Sequence, residues 1–256
     1  MGLTIAAGVA FWDHAPEGAG GPPLVLVHGS GGTHLHWPEA IRALPGRRVL
    51  AIDLPGHGQA PLPAETTIAG YAGTVLGMLD ALGIPRAVLA GHSMGGAIAL
   101  TLATGAPDRV AGLFLVGTGA RLRVAPAILE GSADPARATE MAEAMAAFSF
   151  GPAASPEERA ALVRGVAAQP AGVLHGDLAA CDAFDAMAGL GSIRAPAFVV
   201  VGEEDRLTPP KYAAFLRERL PGEGMLLVPG AGHMVATEAP AAVAAAAAAF
   251  LDRISP

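Results

Sequence analysis

The chain has 256 residues, of which 52% are hydrophobic and 15% are charged. This composition excludes a disordered chain, and the length suffices for one domain with a full hydrophobic core. A net charge of −7 with a single lysine, Lys211, leaves no basic patch, so no nucleic acid is expected as a partner. The apolar stretches are interrupted by Gly, Pro or charge well short of a membrane span, so no membrane association is expected either.

The N-terminus and the cysteine content indicate where the protein works. The first residues contain no positively charged segment followed by an apolar core and a cleavage-like site, which a secretory signal requires. The one cysteine, Cys181, cannot form a disulfide within the chain. Both features predict a cytoplasmic protein, because disulfides are rare in that reducing compartment.

Short apolar runs alternate with helical patterns along most of the chain. The continuous apolar runs are typical of strands buried on both faces of a sheet. The predicted strands are Leu3–Ala6, Val9–Asp13, Leu24–Val27, Val49–Ile52, Ala87–Ala90, Leu113–Val116, Phe198–Val201 and Met225–Val228. The predicted helices are Thr67–Leu82, Gly96–Thr104, Lys211–Leu220 and Ala239–Arg253. Strands alternating with helices predict an α/β fold, with a mostly parallel twisted sheet and helices on both faces.

The interval from Ala120 to Leu190 departs from this alternation. It contains no strand-like run and is rich in Ala, Met and Phe with interspersed charged residues. A connection of about 70 residues is much longer than the crossover of a βαβ unit needs. We therefore predict a helical lid insertion at 120–190, which divides the α/β core into residues 1–119 and 191–256. An ordinary pair of crossover helices is the alternative.

The segment Gly91-His92-Ser93-Met94-Gly95 has the pattern G-x-S-x-G of a nucleophile elbow. A predicted strand precedes it and a predicted helix follows it. In such a turn the glycines let strand and helix approach closely, which exposes the serine hydroxyl at the edge of the sheet. We predict that Ser93 is a catalytic nucleophile. A chance match is the alternative in a chain with 34 glycines, but the strand and helix on either side argue against it.

A hydroxyl becomes a good nucleophile only when a base takes its proton and a third group orients that base. His233 follows the last predicted strand, and Asp205 follows the strand before it. Both therefore lie on the carboxyl edge, where open α/β sheets bind their ligands. The order Ser93, Asp205, His233 is that of an α/β-hydrolase triad. Glu203 and Glu204 could replace Asp205 as the acid, but we expect them to be solvated loop charges.

Acyl transfer also needs N–H donors for the oxyanion of the transition state. The backbone N–H of Met94, directly after Ser93, is one candidate. The glycine-rich loop His28–Gly32 follows an earlier strand, and the N–H of Ser30 is the second candidate. A phosphate-binding loop would require GxxxxGK[ST] or GxGxxG, and neither pattern is present. A plain glycine-rich turn is the remaining alternative.

Taken together, these motifs resemble the serine-dependent members of the α/β-hydrolase superfamily over nearly the whole chain apart from the insertion. The matching segments are His28-Gly29-Ser30-Gly31, Asp53-Leu54-Pro55-Gly56-His57-Gly58, Gly91–Gly96, Gly202–Pro209 and Gly232-His233-Met234 with Glu238 behind them. The resemblance implies a catalytic triad of Ser93, Asp205 and His233. It also implies an oxyanion hole from the N–H groups of Ser30 and Met94, and no cofactor.

The resemblance is more specific for the fold than for the activity. Haloalkane dehalogenases and epoxide hydrolases of this fold carry aspartate at the position of Ser93, and C–C bond hydrolases often carry Asn where this chain has His92. We predict a hydrolase of carboxylic esters that forms an acyl-enzyme on a small-molecule ester. A C–C bond or enol-lactone hydrolase of aromatic catabolism is one alternative. A ligand-sensing receptor is another, although a receptor has no need of Asp205 and His233 together.

Three residues are candidates for binding the substrate. Trp37 is expected beneath the oxyanion loop or along the pocket, and Met145 and Phe148 in the insertion are expected to form an acyl-binding wall. Methionine and aromatic residues at near-helical spacing are also common in a plain core, which is the alternative. His175 and Asp177 precede the return to the sheet, and the sequence leaves open whether either reaches the site.

The other histidines and acids in the motifs are expected to be structural. Asp53, His57 and His92 lie within the motif segments and are expected to brace loops. His34 and His36 alternate as metal ligands on a strand would. No further ligand has suitable spacing and no HExxH or CxxC pattern occurs, so no metal site is predicted.

Overall fold

The computed structural model describes residues 3–222 and 224–254. Its eight strands form one sheet in the order β1-β2-β4-β3-β5-β6-β7-β8. The strands are β1 (Thr4–Ala6), β2 (Val9–His14), β3 (Leu24–Val27), β4 (Val49–Asp53), β5 (Ala87–His92), β6 (Val110–Val116), β7 (Ala197–Gly202) and β8 (Gly224–Val228). β2 pairs antiparallel with β1 and β4, and the other neighbours pair parallel. The predicted fold class is confirmed.

The helices in the described residues flank the sheet or follow β6. They are α1 (Glu39–Arg42), α2 (Ile68–Ala81), α3 (Met94–Gly105), α4 (Pro126–Ser132), α5 (Ala138–Ser149), α6 (Pro156–Ala167), α7 (Val173–Ala183), α8 (Pro210–Arg219), α9 (Val235–Glu238) and α10 (Pro240–Ile254). The four helices predicted by position correspond to α2, α3, α8 and α10. In the described part of the chain, no helix is both long and apolar enough to cross a bilayer.

The central strands divide their side chains between two hydrophobic cores. Val25 and Val27 of β3 point into the core covered by α2, α3 and α8, whereas Leu24 and Leu26 point into the core covered by α1 and α10. This division follows from the two-residue period of a strand, which sends successive side chains to opposite faces. Because both faces are covered, the central strands consist of continuous apolar residues.

The predicted insertion between β6 and β7 consists of the four helices α4 to α7 in the described structure. These helices share a small hydrophobic core of their own, to which Met234, from the loop after β8, also contributes. An isolated bridge between Arg121 and Asp185 joins the two ends of the segment. A capping box of Ser155 and Glu158 begins α6. The segment is thus a compact helical layer that packs onto the loop carrying His233.

The aromatic side chain of Phe250 ties α10 to the sheet. Its ring lies 6.0 Å from the rings of Phe114 and Phe198, and the residue is 4% exposed. We expect Phe250→Ala to lower the free energy of unfolding by about 3–5 kcal/mol, because it leaves a cavity in a packed core. Urea unfolding monitored by circular dichroism measures this change. The control Leu227→Ala, at a side chain 40% exposed on β8, should change it by less than about 0.5 kcal/mol. Equal effects of the two changes would contradict this account of the core.

Candidate active site

Ser93 lies in a strained turn between β5 and α3. Its backbone has φ 53° and ψ −115°, in a region that non-glycine residues rarely occupy. A Cβ atom on Gly91 would collide with the carbonyl of Gly95, and one on Gly95 would collide with the carbonyl of Val27. The two glycines are therefore needed for the close approach of β5, β3 and α3, which is the geometry of a nucleophile elbow.

Hydrogen bonds to β6 and the residues after it hold this turn in place. The N–H of Ser93 donates to the carbonyl of Val116 at 3.0 Å, and the hydroxyl of Thr118 donates to the carbonyl of Ser93 at 2.8 Å. The N–H and the carbonyl of Ser93 are thus both held by β6 and the residues that follow it. The strained conformation is held in place by these bonds and by the packing around Gly91 and Gly95.

The structure brings Asp205 and His233 together at the carboxyl edge of the sheet. Asp205 follows β7, His233 follows β8, and His233 Nδ1 lies 3.0 Å from Asp205 Oδ2. The other carboxylate oxygen, Oδ1, accepts the N–H groups of Leu207 at 2.9 Å and Thr208 at 2.8 Å. The carboxylate can only accept when ionised, so the His233 proton sits on Nδ1 and Nε2 is left as the basic nitrogen.

The protonation of Asp205 follows from these contacts. Burial of the carboxyl group favours the neutral form, but the charge and hydrogen bond of His233 and the donors of Thr208 outweigh it, so the pKa of Asp205 lies below its ordinary value. Asp205 is therefore ionised at neutral pH. Glu203 and Glu204 are exposed, and no hydrogen bond joins either of them to His233 in the described structure. Asp205 is thus the acid that the fold places beside the imidazole.

A hydrogen bond from His92 holds the loop that carries His233. Its Nε2 donates to the backbone carbonyl of His233 at 3.0 Å, and the two rings lie 4.8 Å apart. Burial, and next the nearby His233, lower the pKa of His92 to about 3, so its ring is neutral. Because His92 is neutral, the carboxylate of Asp205 is the charged group that His233 contacts. His92 therefore braces the loop without opposing a positive charge on His233.

Ser93 and His233 line one cavity of about 310 Å³. Among the described residues, no hydrogen bond joins the Ser93 hydroxyl to the imidazole. Such contacts are often long in unliganded enzymes and shorten when substrate binds. The remaining walls come mainly from apolar side chains of the segment between β6 and β7, including Met145 and Phe148. The expectation that these two side chains face the pocket therefore agrees with their position.

Trp37 is placed differently from the other candidates for substrate binding. It is 1% exposed and packs in the core covered by α1 and α10, and it is not among the residues that line the 310 Å³ cavity. The chain before it, His34–His36, forms a 3-10 turn rather than a strand, and Trp37 follows this turn into the interior. The structure thus places Trp37 in this core rather than along the cavity, and its contact with the substrate stays a prediction.

The two candidate oxyanion donors lie close to each other and to Ser93. Met94 is the first residue of α3, and the hydroxyl of Ser30 lies 3.6 Å from its sulfur atom. A Cβ atom on Gly29 would lie 3.1 Å from Ser93 Cβ, so the loop passes directly beside Ser93. In the described residues, no acceptor is hydrogen-bonded to the N–H of Ser30. The arrangement leaves this donor available beside Ser93.

The remaining motif residues have structural partners. His34 Nδ1 lies 2.9 Å from Asp53 Oδ1, and Asp53 also accepts the N–H groups of His34 and Gln59. His57 is hydrogen-bonded to Asp177 at 2.8 Å, and His175 to Ser132 at 3.0 Å. Within the described ranges, no group of three or more His, Cys, Asp or Glu side chains could hold a metal ion.

The structure gives contacts in the site to three residues for which the sequence predicted no role. The hydroxyl of Thr208 donates to Asp205 Oδ2 at 2.7 Å and lies 3.1 Å from His233 Nδ1. The carboxylate of Glu238 accepts the N–H groups of Gly232 at 2.9 Å and Gly151 at 2.8 Å, which joins the His233 loop to the helical segment. The third, Asp177, accepts the N–H of Gly31 in the glycine-rich loop His28–Gly32 at 2.8 Å. Thr208 had a local signal, since an Asp side chain in a loop commonly accepts backbone N–H groups a few residues further on, as Asp205 does from Leu207 and Thr208.

The hydroxyl of Thr208 is expected to stabilise the fold through the carboxylate of Asp205. Thr208→Val keeps the shape of the side chain but removes this donor, so we expect the free energy of unfolding to fall by about 1.5–3 kcal/mol, as for other hydrogen bonds to charged groups. Urea unfolding at pH 7 measures the loss. Thr208→Ser retains the hydroxyl and should lose less. A Val variant as stable as the Ser variant would show that the bond contributes nothing.

Known proteins are similar to this chain over most of its length. The model of the alpha/beta hydrolase family matches residues 24–246. The dihydrolipoyllysine-residue acetyltransferase component of the acetoin cleaving system of Pseudomonas putida is 36% identical over 92% of this chain, and the chain spans 65% of that relative's length. The pimeloyl-[acyl-carrier protein] methyl ester esterase of Neisseria meningitidis is 31% identical, with 82% of this chain and 85% of that protein covered.

A solved structure gives the same result for the fold. A thermophilic esterase superposes with a TM-score of 0.83 and 32% sequence identity, covering 98% of this chain and 97% of that one. The similarity thus extends over the sheet and over the helical segment between β6 and β7. The predicted family and fold class are confirmed: the chain belongs to the alpha/beta hydrolase family.

Proposed function

We propose that the protein is a serine hydrolase that cleaves carboxylic esters through an acyl-enzyme on Ser93. The observation that carries this proposal is the position of Ser93, in a strained turn beside a cavity that His233 also lines. The bond between His233 and Asp205, and the esterases among the similar proteins, support it. The proposed partner is a small-molecule ester, and the proposed compartment is the cytoplasm.

In the first half of the proposed reaction, Ser93 Oγ attacks the ester carbonyl and His233 Nε2 takes the hydroxyl proton. The new C–O bond makes a tetrahedral oxyanion, which the N–H groups of Ser30 and Met94 stabilise. The ionised Asp205 stabilises the positive charge that has formed on the His233 ring. His233 then gives its proton to the leaving alcohol oxygen as the C–O bond to it breaks, and the acyl-enzyme remains.

The second half repeats these roles with water. His233 Nε2 takes a proton from the water molecule as its oxygen attacks the acyl carbonyl, and the same N–H groups hold the second oxyanion. Collapse of this intermediate breaks the bond to Ser93 Oγ, which recovers its proton from His233. The products are a carboxylic acid and the free enzyme, so the cycle consumes one water molecule and needs no cofactor.

The apolar cavity suggests which part of the ester it holds. Met145, Phe148 and Leu162 of the helical segment line it, and its only charged lining side chains are those of Arg123 and Arg206 within the described residues. We propose that this cavity receives a small or apolar acyl group, and that residues 120–190 act as its lid. Exclusion of water by such a lid strengthens the electrostatic contacts around the reacting carbonyl.

The function is tested by Ser93→Ala. We expect kcat for p-nitrophenyl esters, from acetate to palmitate, to fall at least about a thousandfold, because the nucleophile is removed. Stopped-time absorbance assays measure turnover, and a fluorophosphonate probe should label only the wild-type serine. An alanine variant that keeps more than a few per cent of the activity would refute the proposal. Labelling of Ser93 without any ester turnover would instead direct the search to C–C bonds or lactones, and an absence of both to a ligand-sensing role.

The acyl-binding role of the cavity is tested by Met145→Trp. The larger side chain should shorten the preferred acyl chain, with rates for the longer esters falling about tenfold or more because space for methylene groups is lost. The acetate ester serves as the internal control, and its rate should stay within about twofold of wild type. An unchanged chain-length profile would place the acyl group elsewhere.

A further inference from the structure

A buried carboxylate of the helical segment reaches the loop that carries the oxyanion donor. Asp177, in α7, is 0% exposed. Its Oδ2 accepts the backbone N–H of Gly31 at 2.8 Å and lies 2.8 Å from His57 Nε2, while its Oδ1 accepts the hydroxyl of Tyr71 at 2.7 Å. One side chain thus joins α7 to the loop after β3, the loop after β4, and α2.

The hydrogen-bond partners fix the charge of this group. His57 Nδ1 lies 3.1 Å from the carbonyl of Pro55, which can only accept, so Nδ1 carries a proton. Burial disfavours the charged form of His57, but its hydrogen bond of 2.8 Å to Asp177 outweighs burial and raises the pKa of His57, which favours a proton on Nε2 too. The two side chains therefore form an ion pair in the interior, and each satisfies the other's charge.

The neighbouring imidazole of His28 shows the opposite state. Its Nε2 accepts the N–H of Leu54 at 3.1 Å, so this nitrogen is unprotonated and the ring is neutral. Burial, followed by the charge of His57 4.8 Å away, lowers the pKa of His28 well below its ordinary value. Burial also opposes the charge of His57, but its bonds to Asp177 outweigh burial and raise its pKa. The two neighbouring histidines thus divide into one neutral and one charged ring.

The oxyanion loop is held at two points around Ser30. The carbonyl of Gly29 accepts the N–H of Gly32 at 3.0 Å and lies 2.8 Å from His28 Nδ1. In a trans peptide the N–H points opposite to the carbonyl, so these bonds turn the N–H of Ser30 away from them. The second point is Gly31, which has φ 63° and whose N–H is bound by Asp177. The conformation on both sides of Ser30 is therefore determined by hydrogen bonds.

We propose that Asp177 is a positioning residue, whose carboxylate, paired with His57, holds the Ser30 N–H in place for the oxyanion. This inference rests on the proposed function, which assigns that N–H to the oxyanion hole. It gives the helical segment a second role: besides covering the cavity, α7 supplies the acceptor that shapes the loop beside Ser93. Oxyanion donors act only when they are held at the position where charge develops.

The test compares two replacements of Asp177 with a matched control. Asp177→Leu keeps the volume but offers no acceptor, so kcat should fall about a hundred- to a thousandfold, as for loss of one oxyanion donor, while KM changes by less than about threefold. Asp177→Asn retains one oxygen that can accept from Gly31, and its kcat should lie between those of Leu and wild type. Tyr71→Phe removes a bond to the same carboxylate without touching Gly31, and its kcat should stay within about twofold of wild type.

A boronic acid that forms a tetrahedral adduct on Ser93 provides the readout that a general loss of structure would not mimic. Its affinity should fall in parallel with kcat across the Asp177 variants, while KM for substrate stays constant, because only the tetrahedral adduct places an oxyanion in the hole. An Asp177→Asn variant with wild-type kcat and boronate affinity would overturn the proposal. So would a Tyr71→Phe variant that loses as much as the Asn variant. The Asn variant keeps the test decisive if the Leu variant does not fold.

Nuclear magnetic resonance separates failure of this inference from failure of the proposed function. Without any substrate, wild-type His57 should show protons on both ring nitrogens, and the Gly31 amide should shift and lose protection from exchange in the Asp177 variants. If the wild-type protein neither turned over esters nor was labelled at Ser93, the proposed function would be overturned. The oxyanion role of Ser30 would be overturned with it. A neutral His57, or a Gly31 amide unaffected by the substitutions, would overturn the anchoring by Asp177 whatever the activity.

Discussion

The close contact between β5, β3 and α3 is the constraint on which the whole site depends. It requires glycine at positions 91 and 95, and it leaves Ser93 with a backbone conformation that is unfavourable for any residue with a side chain. The energetic cost of this backbone conformation is offset by the packing of the surrounding sheet, whose buried central strands hold the turn in place. A rigid scaffold of this kind can hold one strained residue at its edge, where a flexible loop would relax.

Around this turn, burial and hydrogen bonding give neighbouring histidines different protonation states. His28 and His92 are neutral, because one accepts a backbone N–H and burial acts on both. His57 carries a charge because Asp177 compensates for it, and His233 faces Asp205. His28 and His92 thus brace loops. His57 forms half of an ion pair, and His233 is the proposed base. The difference comes from the partner of each ring nitrogen rather than from the distance to Ser93.

The sequence was enough to predict the sheet, the four main helices of the core, and the meeting of Asp205 with His233. Parallel strands bring their carboxyl ends to one edge, so a residue's place after a strand predicts its neighbours. The place of Trp37 in the core rather than along the cavity could not be read from the sequence, because a short 3-10 turn directs the chain inward there and turns of that size leave little trace in a pattern of hydrophobicity. The sequence left open whether Asp177 reaches the site and gave no contact for Glu238, because Gly31 and Gly151, which donate to them, are distant in the sequence and no spacing rule encodes such contacts.

The carboxylate of Glu238 is one of the contacts that connect the helical segment between β6 and β7 to the α/β core. Because it binds Gly151 and Gly232 at once, while Asp177 binds Gly31, the helical segment and the core share hydrogen bonds at two separate points. Exchange of residues 120–190 for the corresponding segment of another family member would therefore remove the Asp177 acceptor from the Gly31 N–H in the glycine-rich loop and the Gly151 donor from the carboxylate of Glu238. To transfer substrate preference between members of the family, the exchanged segment has to keep these hydrogen bonds as well as the side chains that line the pocket.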